Sequence, residues 1–157
     1  MSNPTLTYFT YPTAIGPLTL QCKDEALARI AFGAVSLQGE NRSTALSNSA
    51  ANELHEYFSG RRHTFSVPLD AEGTEFQHAV WDCLLSIPYA QTRTYADVAA
   101  SIGPPRSYRA VGMACNANPL PIIVPCHRVV GSGGVLGGYA GGVAVKQTLL
   151  DLEIKNA

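Results

Sequence analysis

Charge is scarce in this sequence. Asp, Glu, Lys and Arg make up 15% of 157 residues and the formal net charge is -1, against 46% hydrophobic residues. That balance excludes a charged disordered tail and describes a chain able to bury a core, as one average domain or two small ones. No apolar run approaches the roughly 20 residues of a membrane span. The Met1-Ser2-Asn3-Pro4 start has neither the basic nor the apolar region of a secretion signal. The expectation is a cytoplasmic protein with no membrane partner. The four cysteines, Cys22, Cys83, Cys115 and Cys126, lie 61, 32 and 11 positions apart and form no C-x-x-C pair, so thiols are expected rather than bridges. A zinc site would have to be gathered from these and from His55, His63 and His78, so neither a metal nor another cofactor is expected. The Gly-rich stretch 131–142 is no phosphate cradle: a G-x-G-x-x-G begun at Gly131 fails at Leu136, and no Gly-Lys-Ser/Thr follows. There is no internal repeat.

The little charge present is unevenly placed. Between residues 83 and 150, Arg93, Arg106, Arg109, Arg128 and Lys146 face the single acid Asp97, which gives a near-neutral protein one basic region.

Residues 6–11, 18–22 and 27–32 are short runs rich in Thr, Tyr, Phe, Leu and Ile, punctuated by Pro12, Gly16-Pro17 and Asp24-Glu25. They predict a small antiparallel sheet. Ala50, Leu54, Tyr57 and Phe58 repeat at helical spacing from Ser47 to Phe58, with Gly60 placed to end a helix that covers the sheet. The segment 61–73 carries charge, Pro68 and Asp70 without periodicity and reads as a linker. The domains expected are 1–70 and 71–157.

The second half opens on Thr74-Glu75-Phe76-Gln77, a capping box, followed by an apolar stripe of Phe76, Val80, Leu84 and Ile87 that stops at Pro88. Thr94 is a suitable N-cap for a short helix from Tyr95 to Ser101 that Gly103 ends. Pro104-Pro105 then starts another helix, through about Cys115, that contains Arg106 and Arg109. Two short helices about a tight Gly-containing turn form a helix-turn-helix pattern, whose second helix is the one presented to DNA. A last helix, Val143 to Leu152, has Val145, Leu149 and Leu152 on one side.

Between these helices, three prolines stiffen the apolar stretch from Asn118 to Val130, which holds Cys126, His127 and Arg128 side by side. Cys22, Cys83 and Cys115 read as ordinary buried thiols. If Pro125 begins a turn, Cys126 sits at a helix start with cations adjacent, and both effects favour the thiolate, the reactive nucleophile. His127 need not touch the sulfur directly, and a bridging water connects them. An activated nucleophile also needs a group that fixes the tautomer of its base. Glu153 and Asp151 are both candidates by spacing.

The string Pro125-Cys126-His127-Arg128-Val129-Val130, followed by Gly137-Gly138-Tyr139-Ala140-Gly141-Gly142 and Lys146, resembles the O6-alkylguanine-DNA alkyltransferases. The resemblance continues upstream through Thr94-Tyr95-Ala96, Arg109-Ala110-Val111-Gly112 and Asn118-Pro119, and covers residues 74–153 closely. It implies an α/β (α+β) protein: a small ribonuclease H-like domain of antiparallel sheet and helix, then a helical winged-helix domain. The implied activity is single-turnover DNA repair, in which an alkyl group passes from O6-alkylguanine, or O4-alkylthymine, in double-stranded DNA to the protein's own cysteine.

By position, Cys126 matches the acceptor, His127 the base acting through water, Glu153 the acid that orients it and Asn118 the hinge of the active loop. Tyr95 matches the residue that moves the phosphate and assists protonation of the departing guanine. Arg109 matches the side chain that fills the space left by the flipped nucleotide. Pro121, Val129, Tyr139 and the backbone of Ala140 fall where the family builds its alkylguanine pocket, and Ala110, Gly112 and Cys115 fall on the helix that meets DNA. The family often has serine at Ala140 and a bulkier apolar residue at Cys115. A monomer is expected. The rival readings are a non-enzymatic alkylated-DNA binder, which lacks the acceptor cysteine, and a thiol hydrolase, which turns over and has no need of the helix pair.

Overall fold

In the computed structural model, residues 3–103 and 107–157 are described. They form two compact units, divided between Glu72 and Gly73.

The N-terminal unit is built on three antiparallel strands: β1 (Leu6–Tyr11), β2 (Leu18–Lys23) and β3 (Ala26–Phe32). Helix α1 (Ala45–Phe58) starts at Thr44, whose side chain and that of Ser47 cap each other's backbone. It lays Ala50, Ala51, Leu54 and Tyr57 against Leu18, Leu20, Leu27 and Ile30 of the sheet. The expected helix over a three-stranded sheet is therefore present.

Two features of this unit depart from expectation. A fourth strand, β4 (Glu40–Asn41), pairs parallel to β1, opposite Thr7 and Tyr8. Both of its residues are exposed and both types are depleted in strands, so no local pattern announces it. Gly39 makes its approach possible: φ is 115° and a β-carbon there would run into the Leu6 carbonyl. The segment read as a linker also belongs largely to this unit. Leu27 N–H donates to the Pro68 carbonyl at 2.8 Å and the Leu27 carbonyl accepts from Asp70 N at 2.8 Å. Phe65 packs on Tyr57 with ring centres 5.6 Å apart, and Ser66 N donates to buried Glu53 at 2.9 Å. Irregular backbone hides such attachment from periodicity.

The C-terminal unit begins with α2 (Glu75–Leu85), capped by the Thr74–Gln77 box, and continues through β5 (Arg93–Thr94), α3 (Tyr95–Ile102) and α4 (Tyr108–Asn116). Thr94 caps α3, with Asp97 closing a second capping box. Helices α2, α3 and α4 pack on one another, and the Trp81 indole donates to the Ala114 carbonyl at 2.9 Å inside that core. Truncating Trp81 to Ala removes both the packing and that bond, at a cost of about 3–5 kcal/mol.

The start of α4 differs from the expected Pro104-Pro105: Ser107 is its N-cap and Tyr108 its first residue, while Pro104, Pro105 and Arg106 lie outside the described residues. A two-residue strand β6 (Val129–Val130) pairs with β5, and α5 (Val143–Lys155) closes the chain. Its buried stripe is Lys146, Leu149, Leu150 and Glu153. The predicted stripe through Val145 and Leu152 is thus rotated, and two charged residues lie on the inner side.

Candidate active site

The loop after α4 is fixed by one side chain. Asn118 is buried; its amide oxygen accepts from Leu120 N at 2.9 Å and its amide nitrogen donates to the Val124 carbonyl at 2.9 Å. The chain between them closes on itself, with Val124 N bonded to the Leu120 carbonyl and Pro121 bridged to Val124. At the bend, Ile122 has φ of 77°, a left-handed conformation costly for a β-branched residue and held here by complete burial. Residues 121–130 are all buried. Such a run outside regular structure is tolerated only because its polar groups find partners within the protein.

Cys126 opens a 3-10 turn, Cys126–Arg128, and is 6% exposed. Burial pushes its thiol above the ordinary range, while the Asn118 side chain, the Lys146 charge and a backbone N–H pull the other way. Burial prevails. The expectation of a resting thiolate is therefore corrected: a three-residue turn contributes too small a dipole to offset desolvation, so the resting group is a thiol.

His127 is fully buried, and its Nε2 lies 2.6 Å from Glu153 Oε2. Burial lowers its proton affinity, as do the charges of Arg128 and Lys146, with Glu153 opposing them. The ring is neutral. Because Glu153 accepts on both oxygens from the Arg128 guanidinium, at 2.8 Å (Nε) and 3.0 Å (Nη2), it is a carboxylate. Nε2 must then carry the ring proton and donate it, which makes Nδ1 the basic atom. Glu153 also accepts from Ala90 N at 3.0 Å, and Arg128 Nη1 donates to the Ile87 carbonyl at 2.7 Å. The other carboxylate weighed for this role, Asp151, is exposed and bonds Gln147 instead.

Lys146 is also fully buried. Its ammonium lies 3.5 Å from the Tyr95 hydroxyl and 5.7 Å from that ring's centre. Burial lowers its proton affinity, with Cys126 and Cys115 opposing the effect. Tyr95 is half-buried; burial raises its hydroxyl, and electrostatic interaction with Cys115 and Cys126 adds to the effect. The ring fits between two glycines: a β-carbon on Gly137 would strike its hydroxyl, and one on Gly112 would touch its edge at 3.9 Å. Tyr139 reaches the same place, its hydroxyl raised well above the ordinary value by burial and then by the charges of Cys126 and Glu153.

Cys126, His127, Glu153, Asn118, Tyr95 and Tyr139 thus share one site, and Pro121 and Val129 are buried in the loop that carries it. Ala140 is exposed. Arg109 is exposed on α4, with Ala110 and Gly112 half-exposed beside it. Cys115, read as a buried thiol on the helix that the resemblance places at DNA, is 8% exposed, and burial pushes its thiol up to about 12. Its side chain does not reach the outer face of the helix. Two partners were not anticipated in their roles. Arg128 forks onto Glu153 within the C-terminal unit, and Lys146 is an interior cation whose charge acts on the Cys126 thiol.

The family model for the 6-O-methylguanine DNA methyltransferase DNA binding domain matches residues 75–155, and that for the ribonuclease-like domain of the same proteins matches residues 6–71. The chain belongs to this family. Among 6-O-methylguanine DNA methyltransferase relatives, the methylated-DNA–protein-cysteine methyltransferase of Methanosarcina barkeri is 44% identical over 95% of this chain and 98% of its own. The constitutive enzyme of that name from Bacillus subtilis is 41% identical over 93% and 94%. The crystal structure of Mycobacterium tuberculosis OGT in complex with DNA superposes with a TM-score of 0.89 at 43% identity, covering 96% of this chain and 94% of that one. The mixed α/β architecture is that of the 6-O-methylguanine DNA methyltransferases.

Proposed function

We propose that this protein repairs DNA by moving an alkyl group from O6-alkylguanine, and from O4-alkylthymine, in a duplex to Cys126, once and irreversibly. The observation that carries this reading is the buried series Cys126, His127, Glu153 inside the segment matched by the DNA-binding-domain model.

Alkyl transfer from oxygen to sulfur is a displacement at carbon: a new S–C bond forms as the O6–C bond breaks and its electron pair stays on the base. A stacked guanine hides that carbon, so the nucleotide has to leave the helix, which costs a few kcal/mol of stacking and pairing. Arg109, exposed on α4, offsets that loss by entering the vacated space. Helices α3 and α4 act as the helix-turn-helix pair that docks on the minor groove.

The resting thiol keeps Cys126 unreactive towards other electrophiles. When the lesion enters, its proton passes through a bridging water to Nδ1 of His127, and Glu153 stabilises the imidazolium that forms. The Lys146 ammonium offsets the anion on sulfur, and the Tyr95 hydroxyl donates to the departing guanine. Asn118 holds the loop that places the sulfur, and Pro121, Val129, Tyr139 and the Ala140 backbone line the base pocket. The thioether product has no good leaving group, so the protein is spent. The protein acts as a monomer in this reading, and no helix among the described residues is long and apolar enough to cross a membrane. Intact-mass measurement after incubation with a duplex holding one O6-methylguanine tests the reading: one methyl mass on Cys126 supports it, and an unmodified protein would make it a lesion binder.

A further inference from the structure

The outer face of α4 carries more than Arg109. Met113, the chain's one internal methionine, is 73% exposed, and Tyr108, the first residue of the helix, is 59% exposed. One helical turn separates Arg109 from Met113, so both side chains leave the same side of the helix. The helix YRAVGMACN contains no acid, whereas α2, α3 and α5 each contain at least one. An exposed thioether beside one cation, on a helix without acids, is matched to a polyanion whose groove walls are sugar carbons and base edges. It is poorly matched to water, in which an unbranched thioether gains nothing from exposure.

Resting on the duplex-repair reading above, we infer that Met113 is an apolar wedge. Its thioether packs on the sugars and base edges of the base step beside the lesion, loosens that step, and shares with Arg109 the work of holding the nucleotide out of the stack. Wedge side chains of this kind are apolar and flexible, and they lower the cost of unstacking without reading sequence. Met113 is thereby a positioning residue for duplex substrates; it has no contact with the sulfur.

The test compares the rate of methyl transfer from an O6-methylguanine duplex with that from the free O6-methylguanine base, in wild type, Met113→Ala, Met113→Leu, Met113→Gln and Arg109→Ala. The duplex-to-base ratio is expected to fall about tenfold in Met113→Ala, to stay low in Met113→Gln, and to recover to within about twofold in Met113→Leu, because apolar contact rather than length is what matters. A position this exposed leaves folding intact, and an unchanged melting temperature confirms it. An unchanged ratio in Met113→Ala with a lowered one in Arg109→Ala overturns the inference and leaves the duplex reading standing. Unchanged ratios in both overturn the inference together with the DNA-facing role of α4.

Discussion

His127 Nε2 meets Glu153 Oε2 at 2.6 Å across 26 residues of sequence, and both side chains are fully buried. The contact fixes which ring nitrogen carries the proton. It also ties the last helix to the turn that bears Cys126, through a carboxylate that Arg128 holds on both oxygens.

Glu153→Gln removes a charge from a buried network and leaves the Arg128 guanidinium without its counterion. Breaking a buried pair from one side costs about 3–5 kcal/mol. The amide can also present its N–H to His127, which turns Nδ1 into the protonated atom. Single-turnover methyl transfer is expected to slow by about 100-fold or more, in keeping with loss of a positioned base, together with a lower midpoint in urea. A variant with wild-type rate and midpoint contradicts the assigned tautomer.

The depressed proton affinity of His127 makes stability depend on pH. The folded state binds this proton less tightly than the unfolded chain, where the value is 6.5. Its contribution is therefore fully present above 6.5 and is lost as pH falls below that value towards the folded one. The wild-type stability curve should bend downward in that window, and His127→Gln should bend less. Parallel curves from urea denaturation across pH 7 to 5 would show that the buried ring is not the group responsible.

Lys146→Met replaces an interior ammonium by an apolar chain of similar length. Removing the desolvated cation is expected to raise stability or leave it unchanged. The thiol of Cys126, deprived of that charge, should ionise at higher pH. Alkylation of Cys126 by a small haloacetamide, followed against pH, reads this directly: the profile should move to higher pH in the variant. A profile that stays in place shows that Lys146 does not reach the sulfur electrostatically.

The legibility of this site in the sequence was uneven for physical reasons. Cys126, His127, Asn118 and Glu153 could be named because each stands in a recognisable string or at a fixed distance from one. The capping boxes at Thr74 and Thr94 and the helices they start could be read because a cap is local. Burial of Lys146 was not legible, since the groups around its ammonium, the Tyr95 hydroxyl and the thiols of Cys115 and Cys126, come from other elements. The resting state of Cys126 was misread for a related reason. The favourable turn is local and visible, whereas the desolvation that outweighs it arises from ten consecutive buried residues. Strand β4 pairs through backbone alone, with side chains that carry no strand signal.

Arg109→Ala separates DNA handling from chemistry. Transfer from a duplex should slow by about tenfold or more relative to transfer from free base, because an inserted side chain offsets a few kcal/mol of lost stacking. An Arg109 that lay on the phosphate backbone instead would, on removal, flatten the dependence of binding on salt by about one unit of slope. Equal losses on duplex and free base contradict the insertion role.

The most direct measurement is the intact mass of the protein after exposure to a duplex carrying a single O6-methylguanine, with peptide mapping of the modified residue and Cys126→Ser as the paired variant. The account predicts one methyl group on Cys126, a fully restored guanine, no second turnover, and no transfer by Cys126→Ser with duplex binding retained. Methyl on any other residue, release of methyl to solvent with turnover, or transfer by Cys126→Ser would contradict it.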